Sequence, residues 1–178
     1  NYTEEQNVAD AMKLAELFRS VAECPALVVA KVHGACFGGG CGLVAAADVA
    51  IAAPDAVFAF SEVRLGLIPG TISLYVIPKI GAGHSRALFA TGEAFDAERA
   101  LRIGLVHEVG DIEELVQAKV KQALSVGPRG VRESKRLVRD FPLSAEESAR
   151  RLAAARASDE GKEGLTAFLE KRKAAFVE

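Results

Sequence analysis

Residues 34–43 read GACFGGGCGL, and three consecutive glycines, Gly38 to Gly40, stand there between two apolar runs. Glycine costs conformational entropy wherever it is fixed. Three in a core-like stretch therefore answer a backbone requirement, either close packing of helix on strand or a main chain that a ligand must approach. The flanks define the backbone concerned. Upstream, residues 26–33 (ALVVAKVH) are short, β-branched and mostly apolar, the pattern of a strand buried on both faces in a parallel sheet. Downstream, residues 40–47 are small and apolar, which suits a closely packed helix, and Asp48 ends it before a second buried strand at 49–52. A strand, glycine turn, helix and strand in that order require a right-handed crossover. The glycines then lie at the carboxyl end of a strand, where open α/β sheets receive ligands.

The rest of the chain continues this alternation. Thr3 with Gln6 has the form of a capping box, and Val8, Met12, Ala15, Phe18 and Ala22 recur at helical spacing, which predicts an amphipathic helix over 4–23 ended by Pro25. Residues 34–40 are expected to turn the chain, 58–60 to form a short strand, and SEVRLGLIPG to form an irregular loop. Helices are expected at 72–80 and 84–90. Asp96 is placed to cap another through Ile103, stopped by Gly104, with 105–108 briefly extended. After Asp111 the pattern is helical, with Ser144 and Glu147 as a second capping box, and EGLTAFLEKRKAAF sets Leu165, Phe168, Leu169 and Phe176 beside a basic face. The sequence thus divides into an α/β core over 1–110 and a helical region over 111–178.

Composition excludes several classes. With 178 residues, 50% of them hydrophobic and 26% charged, the chain suits a soluble globular domain with a real core. Its formal net charge of -2 gives no basic field for nucleic acid, and no run of about 18 apolar residues is present to span a membrane. The opening NYTEEQ lacks the pattern of a secretory signal, which points to the cytoplasm, and it lacks an initiator methionine, so a fragment of a longer chain is expected. Cys24, Cys36 and Cys41 are odd in number and without CxxC spacing, and read as reduced, buried small hydrophobes. His33, His84 and His107 are too scattered for a metal site or a catalytic triad.

GGGCG fits neither the dinucleotide GxGxxG pattern nor a P-loop. What a glycine turn into a helix offers is a row of backbone N–H groups with a partial positive field, and bare glycine lets a carbonyl oxygen reach them. That is an oxyanion site, although close helix–strand packing alone would select the same glycines. Glu62, in AFSEVRLGL, lies in an apolar setting that desolvates a carboxylate and readies it for proton exchange near neutral pH. A surface charge or an ion pair with Arg64 is the plain alternative. One strand separates its loop from the glycine unit, so the two are placed to share a pocket.

The blocks HGACFGGGCGL, AAAD, FAFSEVRLGLIPG, TGEAFDAERALRIGLVHEV and EGLTAFLEKRKAAF, in this order, resemble the crotonase superfamily, the enoyl-CoA hydratase and isomerase group, over nearly the whole chain. GGGCGL with FSEVRLGLIP and TIS looks most like bacterial hydratases of methylglutaconyl-CoA type. The resemblance implies an α/β spiral of ββα units with a C-terminal helical region used in trimerisation, as a homotrimer or dimer of trimers. It implies an acyl-CoA substrate and no permanently bound cofactor, coenzyme A arriving as part of the thioester. Gly39 matches one oxyanion donor, the other belonging to a loop upstream of Asn1. Glu62 matches a catalytic glutamate that exchanges a proton with substrate carbon or water. Phe168 and Lys171 match positions near the adenine and phosphates of CoA, although an ordinary amphipathic helix with a solvated basic face accounts for them equally.

Gly42 stands where typical hydratases of the group carry their first glutamate. Two chemistries through one enolate therefore stay open. One is syn hydration of a 2-enoyl thioester, with Glu62 orienting water and passing its proton to the α-carbon. The other is Δ3–Δ2 isomerisation, or related C–C cleavage or decarboxylation, for which one carboxylate is enough. A non-catalytic acyl-CoA binder is a third reading. Leu65, Leu67 and Ile68 either line an acyl pocket or pack the core. Ser73 and Tyr75 are either polar contacts to a carboxylated or branched acyl group or structural hydroxyls.

Overall fold

The computed structural model describes residues 2–177. They form two compact units: one holds the chain up to Cys24 together with Val28–Gln117, the other Pro25–Leu27 and the chain from Ala118 onward.

In the first unit α1 (Glu4–Ala22) opens on the capping box its sequence predicts. The Gln6 N–H donates to Thr3 Oγ1 at 3.2 Å and the Thr3 N–H donates to Gln6 Oε1 at 2.8 Å. There follow β1 (Val29–Val32), β2 (Ala35–Phe37), α2 (Gly39–Ala46), β3 (Val49–Ala52), β4 (Val57–Ala59), a 3-10 turn (Glu62–Leu65), α3 (Gly70–Thr91), β5 (Ala94–Asp96), α4 (Ala97–Arg102) and β6 (Glu108–Val109), and then α5 (Ile112–Ala123), whose residues divide between the two units after Gln117. The strands make two three-stranded sheets. In one, β1, β3 and β6 run parallel in that order; in the other, β4 lies between a parallel β2 and an antiparallel β5.

Two of the differences from the sequence reading shape the glycine stretch and α3. The stretch 34–40 is not a single turn, because Gly34, at φ 61°, redirects the chain out of the first sheet and into the second as β2 before Gly38 turns it again. The two helices expected at 72–80 and 84–90 are joined as α3, kinked at Gly81, where φ 79° and ψ 158° leave the helical region. Only glycine adopts that conformation at low cost.

Phe18, Phe58, Phe60, Ile72 and Leu88 are fully buried. Phe58 stacks on Phe95, its cross-strand partner in the β4–β5 pair, at 5.7 Å between ring centroids. Burying such a side chain contributes about 1.5–3 kcal/mol. Lys79 of α3 reaches the C-terminal end of α2 and donates to the carbonyls of Val44 (3.2 Å) and Ala47 (3.1 Å), so that helix keeps a cation at its negative end.

The second unit carries α6 (Pro128–Arg139), α7 (Ala145–Ala157) and α8 (Asp159–Leu169). Ser144 caps α7 by accepting from the Glu147 N–H at 3.1 Å. The reciprocal half of the expected box gives way to an ion pair, since the Glu147 carboxylate takes Arg151 Nε at 2.8 Å. Glu163 ties the C-terminal segment back to α8, accepting from Arg172 Nη1 and from the Ala175 N–H, both at 2.7 Å. Among the described residues no helix is long and apolar enough to cross a membrane.

Candidate active site

The site begins at the N-terminus of α2. Gly38 is its N-cap, at φ 51° and ψ -118°, a conformation closed to most side chains, and its own N–H donates to the Ala59 carbonyl at 2.9 Å. Gly42 donates back to Gly38 O at 3.3 Å, so the helical ladder starts there. The N–H groups of Gly39, Gly40 and Cys41 therefore have no partner one turn earlier and carry the partial positive end of the helix.

β4 delivers Glu62 to this end. A Cβ on Gly38 would lie 3.3 Å from Glu62 Oε1, 3.7 Å from its Cδ and 3.9 Å from Ser61 Oγ. The carboxylate thus rests over the bare Cα of Gly38, and the glycine turn and Glu62 do share one site. Its second oxygen, Oε2, is shielded from solvent and has no hydrogen-bond partner among the described residues. That is the arrangement of an acceptor left for something other than the protein.

Arg64 does not occupy it. The turn carrying Glu62 is instead seated on Gly92, the C-cap of α3 at φ 59°, where a Cβ would come within 2.9 Å of Val63 Cγ1 and 3.4 Å of Arg64 Cγ. Gly66, at φ 70°, closes the other side of the turn, and the Leu67 N–H donates to Glu62 O at 3.1 Å.

Gly42 faces inward, one turn along α2. A Cβ there would lie 2.9 Å from both Cε1 and Cζ of Phe18 and would collide with Cγ2 of Ile72. The position is closed by two buried apolar side chains, one from α1 and one from α3. A second carboxylate has no room at residue 42. By contrast, the nearest atom to a Cβ on Gly39 is Phe18 Cζ at 4.0 Å, an ordinary contact, so protein packing does not require a glycine at that position.

Cys41 anchors the first turn of α2, its Sγ donating to Cys36 O at 3.0 Å and, more weakly, to Ala59 O at 3.6 Å. The Cys36 side chain and burial hold its thiol well above the usual range, so it stays protonated as a donor. Cys36 is buried as expected, whereas Cys24 is only half-buried. Among the described residues no group of His, Cys, Asp or Glu is arranged to hold a metal.

Leu65, Leu67 and Ile68 follow Glu62 directly and are exposed, Ile68 by 80%, which removes core packing as their reason. Ser73 donates to Gly70 O at 2.6 Å, and Tyr75 sits edge-on to Phe18 at 6.0 Å, so both serve the local structure. Phe168 and Lys171 belong to the second unit. Phe168 is exposed on the last turn of α8, and Lys171, at φ 55°, donates its N–H to Phe168 O at 3.3 Å to close that helix. Sequence reasoning missed Ser61, Phe18, Ile72 and Gly92 as parts of the site. The dipeptide Ser61–Glu62 was the available signal for the first, but the other three are recognisable only once α1 and α3 are packed.

The family model described as Enoyl-CoA hydratase/isomerase matches residues 2–178. The chain is 39% identical over 173 residues to the crotonyl-CoA hydratase of Syntrophomonas wolfei, covering 91% of this chain and 66% of that protein. It is 32% identical to the mitochondrial Delta(3,5)-Delta(2,4)-dienoyl-CoA isomerase of Dictyostelium discoideum, covering 98% of this chain and 64% of that one. The crystal structure of an enoyl-CoA hydratase from Shewanella pealeana superposes with a TM-score of 0.94 at 38% identity, over 98% of this chain and 68% of that one. The chain therefore spans about two thirds of the length of these relatives. With the crotonase fold around its glycine turn and a family match along its described length, the chain belongs to the enoyl-CoA hydratase/isomerase family of the crotonase superfamily.

Proposed function

We propose that the protein adds water to a 2-enoyl-CoA thioester, with Gly39 as an oxyanion donor and Glu62 as the group that moves the proton. The observation that carries this reading is the Glu62 carboxylate lying over Gly38 at the open N-terminus of α2. A thioester oxygen at the Gly39 N–H would meet the positive end of the helix, and the missing Cβ leaves it a path. Glu62 then takes a proton from water as the water oxygen bonds to C3. Electrons move from the C2–C3 double bond onto the thioester oxygen, where the N–H and helix field stabilise the enolate. The same carboxylate returns the proton to C2 as the enolate collapses. One carboxylate on one face gives syn addition, with every atom of water retained in the product.

Phe168 and Lys171 are assigned to the adenine and phosphates of the CoA portion, and a homotrimer or dimer of trimers is the assembly that goes with this. The likeness of GGGCGL, FSEVRLGLIP and TIS to hydratases of methylglutaconyl-CoA type supports 3-methylglutaconyl as the acyl group. Purified protein should hydrate crotonyl-CoA or 3-methylglutaconyl-CoA, followed by loss of the enoyl absorbance. Tight binding of CoA esters with no turnover across a thioester panel would replace this reading with that of a non-catalytic binder.

The closed position at Gly42 favours a second reading, because isomerisation needs only one proton shuttle. Conversion of a 3-enoyl-CoA to its 2-enoyl isomer, with no hydration of the latter, would assign that chemistry instead.

A further inference from the structure

We propose that Ser61 is a further catalytic residue, whose hydroxyl holds the attacking water against Glu62; this rests on the hydratase reading above. Addition of water to C3 needs the water oriented as well as deprotonated, and while Glu62 takes one proton the O–H that stays on the water can donate to a second acceptor. At residue 42 Phe18 and Ile72 leave no room for a second carboxylate, so the other acceptor must come from elsewhere.

Ser61 is placed to supply it. Its Oγ and Glu62 Oε1 lie 3.9 Å and 3.3 Å from one and the same point, the vacant Cβ position of Gly38. Serine preceding a helical turn ordinarily spends its hydroxyl on a backbone N–H of that turn. Ser61 stands at the N-cap of the 3-10 turn and makes no such bond. Its hydroxyl is thus free at the place where the carboxylate also points, and Glu62 Oε2 is itself without a partner among the described residues.

In the step so described, one water proton moves to Glu62 and from there to C2. The other stays on the oxygen that becomes the C3 hydroxyl, and it is this O–H that donates to Ser61 Oγ. Ser61 gains and loses no proton.

The test separates water from the rest of the site. Exchange of the α-protons of butyryl-CoA with deuterium from solvent requires Glu62 and the oxyanion donor but no attacking water. In Ser61→Ala, kcat for hydration of crotonyl-CoA should fall about 10- to 100-fold, the range for a lost hydrogen bond to a reacting group, while α-proton exchange stays within about twofold of wild type. Ser61→Thr, which keeps the hydroxyl, should recover much of the hydration rate. Hydration unaffected in Ser61→Ala, or hydration and exchange falling together with unchanged thermal stability, would overturn the proposal. Wild type that exchanges α-protons yet hydrates no enoyl thioester would overturn the hydratase reading itself, and this inference with it.

Discussion

At the scale of single residues, the glycines of GACFGGGCGL divide by what surrounds their missing Cβ atoms. Gly38 makes room for Glu62, Gly42 makes room for Phe18 and Ile72, and Gly39 has no close neighbour in the protein. Two substitutions should therefore behave in opposite ways. Gly39→Ala should leave the melting temperature nearly unchanged while hydration falls by about two to three powers of ten, as thioester approach to the donor is blocked. Gly42→Ala should destabilise the fold by about 1–3 kcal/mol through overpacking against Phe18, measured by denaturant unfolding. Equal loss of stability in both variants would remove the distinction. A glycine turn and a carboxylate in an apolar run are local features legible in the sequence, but the choice of Gly39 and Glu62 among them came from the family resemblance. The closure at Gly42 was not legible, because it depends on which helices bring Phe18 and Ile72 to that spot.

At the scale of elements, the 3-10 turn bearing Glu62 is held from below by Gly92. Gly92→Ala adds a methyl at φ 59° within 2.9 Å of Val63 Cγ1, and the turn must shift to accept it. Its kcat should fall at least about tenfold with a smaller change in KM, since a small displacement of a reacting group is costly. Pairing it with Val63→Ala should restore part of kcat, whereas a double variant no better than the single would show that Gly92 acts only on stability. The alternation of strands and helices was readable from apolar patterning. Strand β2 escaped because it lies between Gly34 and Gly38, where composition signals a turn, and its pairing with β4 is set 22 residues further on, in the Ala35–Val57 register. Likewise the kink at Gly81 reads in sequence as a gap between two helices, because a residue outside the helical region interrupts the pattern without ending the element.

At the scale of the whole molecule, the chain folds as two compact units with different ways of holding together. The first rests on buried aromatic and aliphatic packing, the second on caps and ion pairs at exposed helix ends. Hydrogen bonds from Arg172, and then from the Ala175 N–H, hold the Glu163 carboxyl down at about 2. A carboxyl depressed in the folded state contributes stability that is present above its unfolded value near 4.5 and lost as pH falls through about 2. Unfolding free energy measured from pH 5 down to pH 2 should therefore fall less steeply in Glu163→Gln than in wild type, and added salt should narrow the difference because the half-buried pair still meets solvent. Parallel pH profiles would contradict this.

In the proposed reaction one carboxylate, Glu62, moves the proton at the open end of α2. The steady-state rate of crotonyl-CoA hydration by Glu62→Gln tests it most directly, with circular dichroism matched to wild type to confirm the fold. The expected result is a kcat lower by about two to four powers of ten. A Glu62→Gln protein hydrating at the wild-type rate would contradict it.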